Sequence, residues 1–219
     1  MSASRLESLR LTFWRLDVCE ELGSTQDELI ARAQSGEPEG LAILARRQTA
    51  GRGQFGRVWV APRGNLNLSV LLRPGTALRD APQWSLAVGV AAAEALAPFV
   101  PGLRLKYPND LMLDGRKLGG ILVDSAADGA RLAWLVIGIG INIAEAPVLA
   151  EQPTIALAER GVTIEPEALA RLILGRIEHW YGIVAGQGFA PVRAAWLALA
   201  ADPTGGQAQF EAFDRRSAG

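Results

Sequence analysis

One cysteine and one histidine occur in the 219 residues. A lone Cys19 can form no internal disulfide and no cysteine-based zinc cage, and a lone His179 excludes histidine-rich metal sites. His179 also falls late in an amphipathic segment, where a packing or surface role is expected, which weakens any catalytic triad built on it. Long apolar runs are missing as well. The most apolar stretch, residues 86–100, is interrupted by Glu94 and is too short to span a bilayer. The N-terminal segment MSASRLESLRLTFWRLDV is charged along its length and lacks the apolar core of a secretory signal. With 49% hydrophobic and 21% charged residues, the composition is that of a globular domain rather than a disordered or fibrous chain. A cytoplasmic location with no membrane partner is expected. The net charge of −1 argues against nucleic acid as the main partner.

Lysine is nearly absent too. Of the 22 basic residues only Lys106 and Lys117 are lysines, and they lie eleven positions apart. Residues 40–79 carry seven arginines and no Asp or Glu, where the chain's average acid content would place about four acids. A positive field without local carboxylates suits a bound anion, although an arginine-rich surface gives the same count.

Hydrophobic periodicity predicts strands over 11–19, 41–48, 58–60, 66–72, 103–106, 119–124 and 131–143. Helices are expected over 24–35, with a capping-box spacing at Thr25 and Glu28, and over 83–98, 166–187 and 190–200. Residues 203–219 are poor in aliphatics and contain Gly-Gly and Arg-Arg, so they read as a weakly ordered tail. Consecutive strands mixed with helices predict an α+β fold with a mixed β-sheet flanked by helices.

Three segments carry chemistry. Gly51-Arg52-Gly53-Gln54-Phe55-Gly56-Arg57 formally matches G-x-G-x-x-G, but the loop leads into Val58-Trp59-Val60, which alternates like a strand, and no acid follows until Asp80. A dinucleotide fingerprint must instead open a helix. What remains is a glycine loop bearing two arginines, either a plain hairpin loop or a phosphate cradle of backbone N–H groups and guanidinium forks. Second, Lys106-Tyr107-Pro108-Asn109-Asp110 places Asn109 and Asp110 on a turn, and Lys117 precedes Leu118-Gly119-Gly120, whose glycines permit close approach of a ligand. Lys117 is either a site cation or a solvated turn residue. Third, glycine at every second position of Val136–Asn142 leaves one strand face bare at Gly138 and Gly140, which a flat ring could occupy.

Taken in this order, Ser24-Thr25-Gln26, Gln48, the GRGQFGR loop with Trp59 behind it, KYPND, the lysine of RKLGGIL and GIGIN closely resemble the biotin protein ligases over roughly residues 12–200. The resemblance implies a catalytic domain over 1–200 related to lipoate ligases and class II aminoacyl-tRNA synthetases. It implies that biotin and ATP with Mg²⁺ form biotinyl-5′-AMP, from which biotin passes to one lysine of a biotin carboxyl carrier domain. By the same resemblance, Ser24, Thr25, Gln26 and Gln48 meet the ureido end of biotin. Arg52, Gly53 and Gln54 follow the biotin carboxylate and adenylate phosphate, Arg57 meets the ATP phosphates, and Lys117, with Gly119 beside it, meets the biotin carboxylate. Trp59, Lys106, Asn109 and Asn142 belong to the nucleotide side, and Asp110 orients the acceptor amine or metal. Lys117, Arg52 and Asp110 are thus the expected catalytic residues.

Tyr107 replaces the family's usual Trp, and Gln54 stands where many members have Arg, which bears on retention of the intermediate. With 23 residues before Ser24 and a tail of only 201–219, neither a DNA-binding winged helix nor a complete SH3-like C-terminal domain is expected. DNA is therefore not expected as a partner, whereas homodimerisation is plausible by family analogy. Two other functions are compatible with the fold: a lipoate or octanoate ligase or transferase, against which the GRGQFGR loop and KYPND speak, and a non-catalytic biotin or acyl-adenylate binding module.

Overall fold

The computed structural model describes residues 5–149 and 152–217. The first four residues of the N-terminal segment and the last two of the tail, both read above from sequence, lie outside the described residues. Eight strands form one sheet: β1 (Arg5–Arg10), β2 (Arg15–Leu22), β3 (Leu41–Gln48), β4 (Leu66–Leu72), β5 (Arg104–Lys106), β6 (Asp110–Leu113), β7 (Arg116–Asp128) and β8 (Arg131–Ile141). Their order is β1-β2-β3-β4-β8-β7-β6-β5. Only β2 and β3 run parallel, because helix α1 (Thr25–Gln34) carries the chain back between them; the other neighbours are antiparallel. The mixed sheet matches the expected fold class.

Strand alternation gives the sheet two different faces. One presents Leu16, Leu44, Leu68, Val70, Ile137 and Ile139 to the main core, which is closed by α2 (Ala81–Leu96), α3 (Pro166–Gln187) and α4 (Ala190–Leu199). Helix α2 is buried on nearly every side and packs against the sheet. The opposite face is apolar at one end only. There Leu29 and Ala33 of α1 cover Ile43, Leu71, Trp134 and Val136. Two residues further along β4 and β8 the same face changes to Ser69 and Gly138, which are paired, then to Asn67 and Gly140. On β7 it continues as Asp124, Leu122 and Gly120. That abrupt loss of apolar side chains is where a cavity opens.

The structure departs from the sequence expectations in several places. The capping residue of α1 is Ser24, not Thr25: Ser24 Oγ accepts from the Asp27 N–H at 3.3 Å, one position earlier than the predicted box. Residues 58–60 form no strand; a single bridge joins Arg52 to Val58, and the Trp59 indole turns over the sheet instead of pairing. Residues 11–14 lie outside β2, and β1 and β6 were not expected. The tail is not weakly ordered over its described part: helix α5 (Pro203–Ser217) packs Phe210, 5% exposed, against Trp196. Arg193 pairs with both carboxylate oxygens of Asp214 at 2.9 Å and lies over the rings of Phe210 and Phe213. Two aromatics three positions apart supply an apolar stripe that an aliphatic count overlooks.

Candidate active site

The cavity on the second sheet face has a volume of about 200 Å³. Its inner end is a hydrogen-bonded chain of buried side chains. Thr25 N–H donates to Gln48 Oε1 at 2.7 Å, and Thr25 Oγ1 lies 3.1 Å from the same oxygen. Gln48 Nε2 donates to Asn67 Oδ1 at 3.2 Å. Thr25 Oγ1 also lies 2.8 Å from Ser69 Oγ, and Ser69 donates to Gln26 Oε1 at 3.1 Å. Gln26 Nε2 donates in turn to Asp124 Oδ2 at 2.9 Å and to the Val136 carbonyl at 3.0 Å. Ser24, Thr25 and Gln26 come together here because the N-terminus of α1 abuts the sheet just where its apolar patch ends.

The loop after β3 closes one side. Gly53 N–H donates to the Arg57 carbonyl at 2.7 Å and Trp59 N–H to the Gly51 carbonyl at 2.9 Å, so the loop folds back on itself. Phe55, at its tip, is 91% exposed with φ 57°, a left-handed conformation unusual for a side chain of this size. Gln54 and Arg57 both line the cavity. The Arg52 guanidinium lies 2.8 Å from Asp27 Oδ1 and 3.3 Å from Asp124 Oδ2. Burial opposes its charge, but Asp124 and Asp27 outweigh that and raise its pKa.

Strands β6 and β7 supply the opposite wall. The Lys117 ammonium sits 2.6 Å from Asp110 Oδ1, with the two side chains 20% and 14% exposed. Lys117 is therefore a partly buried, ion-paired cation rather than a solvated turn residue. Gln152 Nε2 lies 3.3 Å from the other Asp110 oxygen, and main-chain bonds from Lys117 to Pro153 and Ile155 hold that segment beside the cavity. Asn109 lines the cavity while donating to the Ile121 carbonyl at 2.8 Å.

Three residues expected at the site lie elsewhere. Gly119 faces the core side, where an added Cβ would meet the Gly140 carbonyl at 2.5 Å; its neighbour Gly120 lines the cavity, as strand alternation requires. Lys106 is exposed on edge strand β5, one position after the buried Leu105, and does not reach the cavity. Asn142 is 1% exposed and donates to the Ile155 carbonyl at 3.2 Å, so it anchors the 153–157 segment from behind the cavity wall. The strand face at Gly138 and Gly140 is not bare. Gln26 stands over Gly138 and the Trp59 indole over Gly140, and the Trp59 Nε1–H has no hydrogen-bond partner among the described residues. Asp124, Ser69 and Gln152 were missed. For Asp124 a signal existed, since positions 120, 122 and 124 of a strand share a face.

The family model for biotin/lipoate A/B protein ligases matches residues 20–142, more than half of the chain. This chain belongs to that family. Among similar relatives of this family member is the biotin–[acetyl-CoA-carboxylase] ligase of Paracoccus denitrificans, 39% identical over 73% of the chain and 70% of the relative. The bifunctional ligase/repressor of Bacillus subtilis is 33% identical over 82% of the chain but only 57% of its own length, so the match spans little more than half of that protein. In structure, the family member is similar to the biotin protein ligase of Aquifex aeolicus in complex with biotin and ATP. The TM-score is 0.71 at 27% identity, covering 85% of this chain and 78% of that one.

Proposed function

We propose that this family member is a biotin–protein ligase that activates biotin with ATP and transfers it to a lysine of a biotin carboxyl carrier domain. The observation that carries the reading is the polarity of the cavity. Neutral hydrogen-bonding groups, most of them buried, form one end, and three cations, Arg52, Arg57 and Lys117, line the rest. Such a pocket suits a ligand with a polar, uncharged ring and a carboxylate tail. The similarity to a ligase in complex with biotin and ATP supports the same assignment.

In this reading Thr25, Gln48 and Ser69 face the ureido ring, with Gln26 bracing them and Ser24 capping the helix that presents them. The biotin carboxylate draws Lys117 from Asp110 and attacks the α-phosphorus of ATP, expelling pyrophosphate. Fixed cations favour that step because two anions must approach and negative charge grows on the phosphate. Arg52, Gln54 and the Gly53 backbone lie along the adenylate phosphate, and Arg57 meets the β- and γ-phosphates. The Trp59 indole covers Gly140 on the nucleotide side, its Nε1–H unpaired among the described residues. No group of three His, Cys, Asp or Glu that could hold a metal occurs among the described residues, so Mg²⁺ would arrive on the triphosphate, with Asp110 the carboxylate lining the cavity. In the second step the neutral amine of the carrier lysine attacks the acyl carbon and AMP leaves. Asp110, released from Lys117, orients that amine. Excluding water protects the mixed anhydride until then. No helix among the described residues is long and apolar enough to cross a membrane, and we place the reaction in the cytoplasm.

Incubation with biotin, MgATP and a purified carrier domain tests the reading: intact mass should rise by one biotinyl group on one lysine. An unmodified carrier beside a control ligase that labels it would contradict the assignment.

Gln54 bears on how long the intermediate stays. An arginine there could pair with the adenylate phosphate by charge-assisted bonds, whereas glutamine offers only a neutral amide. The difference of about 1 kcal/mol predicts that Gln54→Arg slows biotinyl-AMP release about fivefold, measured by filter binding. Equal release rates would mean that the loop backbone, not this side chain, retains the adenylate.

A further inference from the structure

Asp124 belongs to none of the motifs read from the sequence and does not line the cavity itself, yet it ties two residues that do, Gln26 and Arg52, to one carboxylate. One carboxylate receives the Gln26 amide at 2.9 Å and the Arg52 guanidinium at 3.3 and 3.4 Å. We propose that Asp124 is a positioning residue that fixes the hydrogen-bond direction of the inner pocket and so determines which ligand ring it accepts. This rests on the assignment of biotin to the cavity.

The argument follows the protons. A carboxylate only accepts, so the Gln26 NH₂ group must face Asp124. Gln26 Oε1 is then turned toward Ser69 and must accept the Ser69 hydroxyl proton. With its one proton committed, Ser69 can meet Thr25 Oγ1 only as an acceptor, so the single Thr25 hydroxyl proton goes to Ser69 at 2.8 Å in preference to Gln48 Oε1 at 3.1 Å. Gln48 Oε1 is pinned independently by the Thr25 N–H and by Gln48 Nε2 donating to Asn67. Freed from the Thr25 hydroxyl, it keeps a lone pair for a ligand. The inner pocket therefore offers the acceptor oxygens of Ser69, Thr25 and Gln48, and its remaining amide proton is on Gln48 Nε2. That set complements a cyclic urea, which has two N–H donors and one carbonyl acceptor.

Asparagine at position 124 keeps the shape and breaks the logic. Its amide keeps one oxygen, now uncharged, and turns an NH₂ donor toward Gln26 or Arg52 in place of the other; the charged Arg52 competes for that oxygen more strongly than a neutral amide does. Gln26 then faces an NH₂ donor, and its own amide loses one of the two acceptors that hold it. The order of protons through Ser69 and Thr25 is no longer fixed. Asp27 provides the control, because its carboxylate pairs with Arg52 at 2.8 Å and is not among the hydrogen-bond partners of the Gln26 side chain.

The test is calorimetric titration of biotin and, separately, of ATP into wild type, Asp124→Asn and Asp27→Asn, with melting temperatures measured alongside. Asp124→Asn should weaken biotin binding about tenfold or more, from the loss of a matched buried hydrogen-bond set, with ATP affinity within about twofold of wild type and the melting temperature little changed. Asp27→Asn should bind biotin as wild type does. Equal biotin affinity in wild type and Asp124→Asn overturns the inference while leaving the ligand assignment standing. Equal losses in the two variants would place the effect on Arg52 and also overturn it, as would parallel losses of biotin affinity, ATP affinity and melting temperature. A wild-type protein that binds no biotin overturns the ligand assignment and the inference together.

Discussion

Lys117→Ala is expected to lower biotin-dependent pyrophosphate release on the order of 10²–10³-fold while the protein remains folded. The ammonium is held at the cavity wall by Asp110 at 2.6 Å, and both side chains are mostly shielded from water. A cation fixed in place needs no reorganisation as charge builds on the reacting carboxylate and phosphate, which makes it effective in the transition state. Removing it also leaves Asp110 uncompensated beside the incoming substrate carboxylate, so two negative groups then face each other. Asp110 keeps Gln152 Nε2 at 3.3 Å and some exposure to solvent, which limits the stability cost to about 1–3 kcal/mol. Steady-state pyrophosphate release and a melting curve check both halves of the expectation. Near-normal turnover in the variant would remove Lys117 from the chemistry.

Gly138→Val is expected to raise the KM for biotin at least tenfold, and more than the KM for ATP. A Cβ at this position would lie 2.7 Å from Gln26 Oε1. Gln26 cannot simply move aside, because Asp124, the Val136 carbonyl and Ser69 all bind its amide. Displacing it leaves buried polar groups unpaired, at about 1–3 kcal/mol each. From the sequence alone the bare glycine face could take a flat ring, and if that ring were the nucleotide base the ranking would be the opposite. The register reverses this for position 138, since Ser69 lies directly opposite Gly138. Gly138→Ala, the smaller insertion, should show the same ranking with a smaller loss of stability. A larger rise for ATP than for biotin in either folded variant would restore the nucleotide reading.

The parts of the fold that were legible are those where periodicity runs long and uninterrupted. Strands β3 and β4 and helix α3 have the bounds their patterns predict. Strand β6 escaped notice although its marker is present. Leu111-Met112-Leu113 is followed by Asp114 and Gly115 with φ of 52° and 72°, the Asp-Gly signature of a tight hairpin. Asp110 is both the end of the Pro108 turn and the first residue of this strand, so the turn signal overlies the strand's start. Among site residues, Thr25, Gln48, Arg52 and Lys117 were accessible from sequence because each lies in a compact motif, and all four line the cavity. Ser69 was not, because its role depends on β4 and β8 being in register, which no local pattern encodes; for Asp124 the alternation of 120, 122 and 124 gives its face but not its partners. Lys106 and Asn142 share motifs with cavity residues, but Lys106 is exposed on edge strand β5 and Asn142, just past the end of β8, is buried against Ile155.

The most direct measurement is pyrophosphate release by the purified protein with ATP, Mg²⁺ and, in parallel, biotin, lipoate or octanoate. All three offer a carboxylate to Lys117 and Arg52, but only biotin carries the cyclic urea that the Thr25–Gln48–Ser69 end of the cavity complements. Biotin alone should support release, and adding a carrier domain should convert it to turnover. Release with lipoate or octanoate matching or exceeding that with biotin, or none with any of the three, would contradict the account.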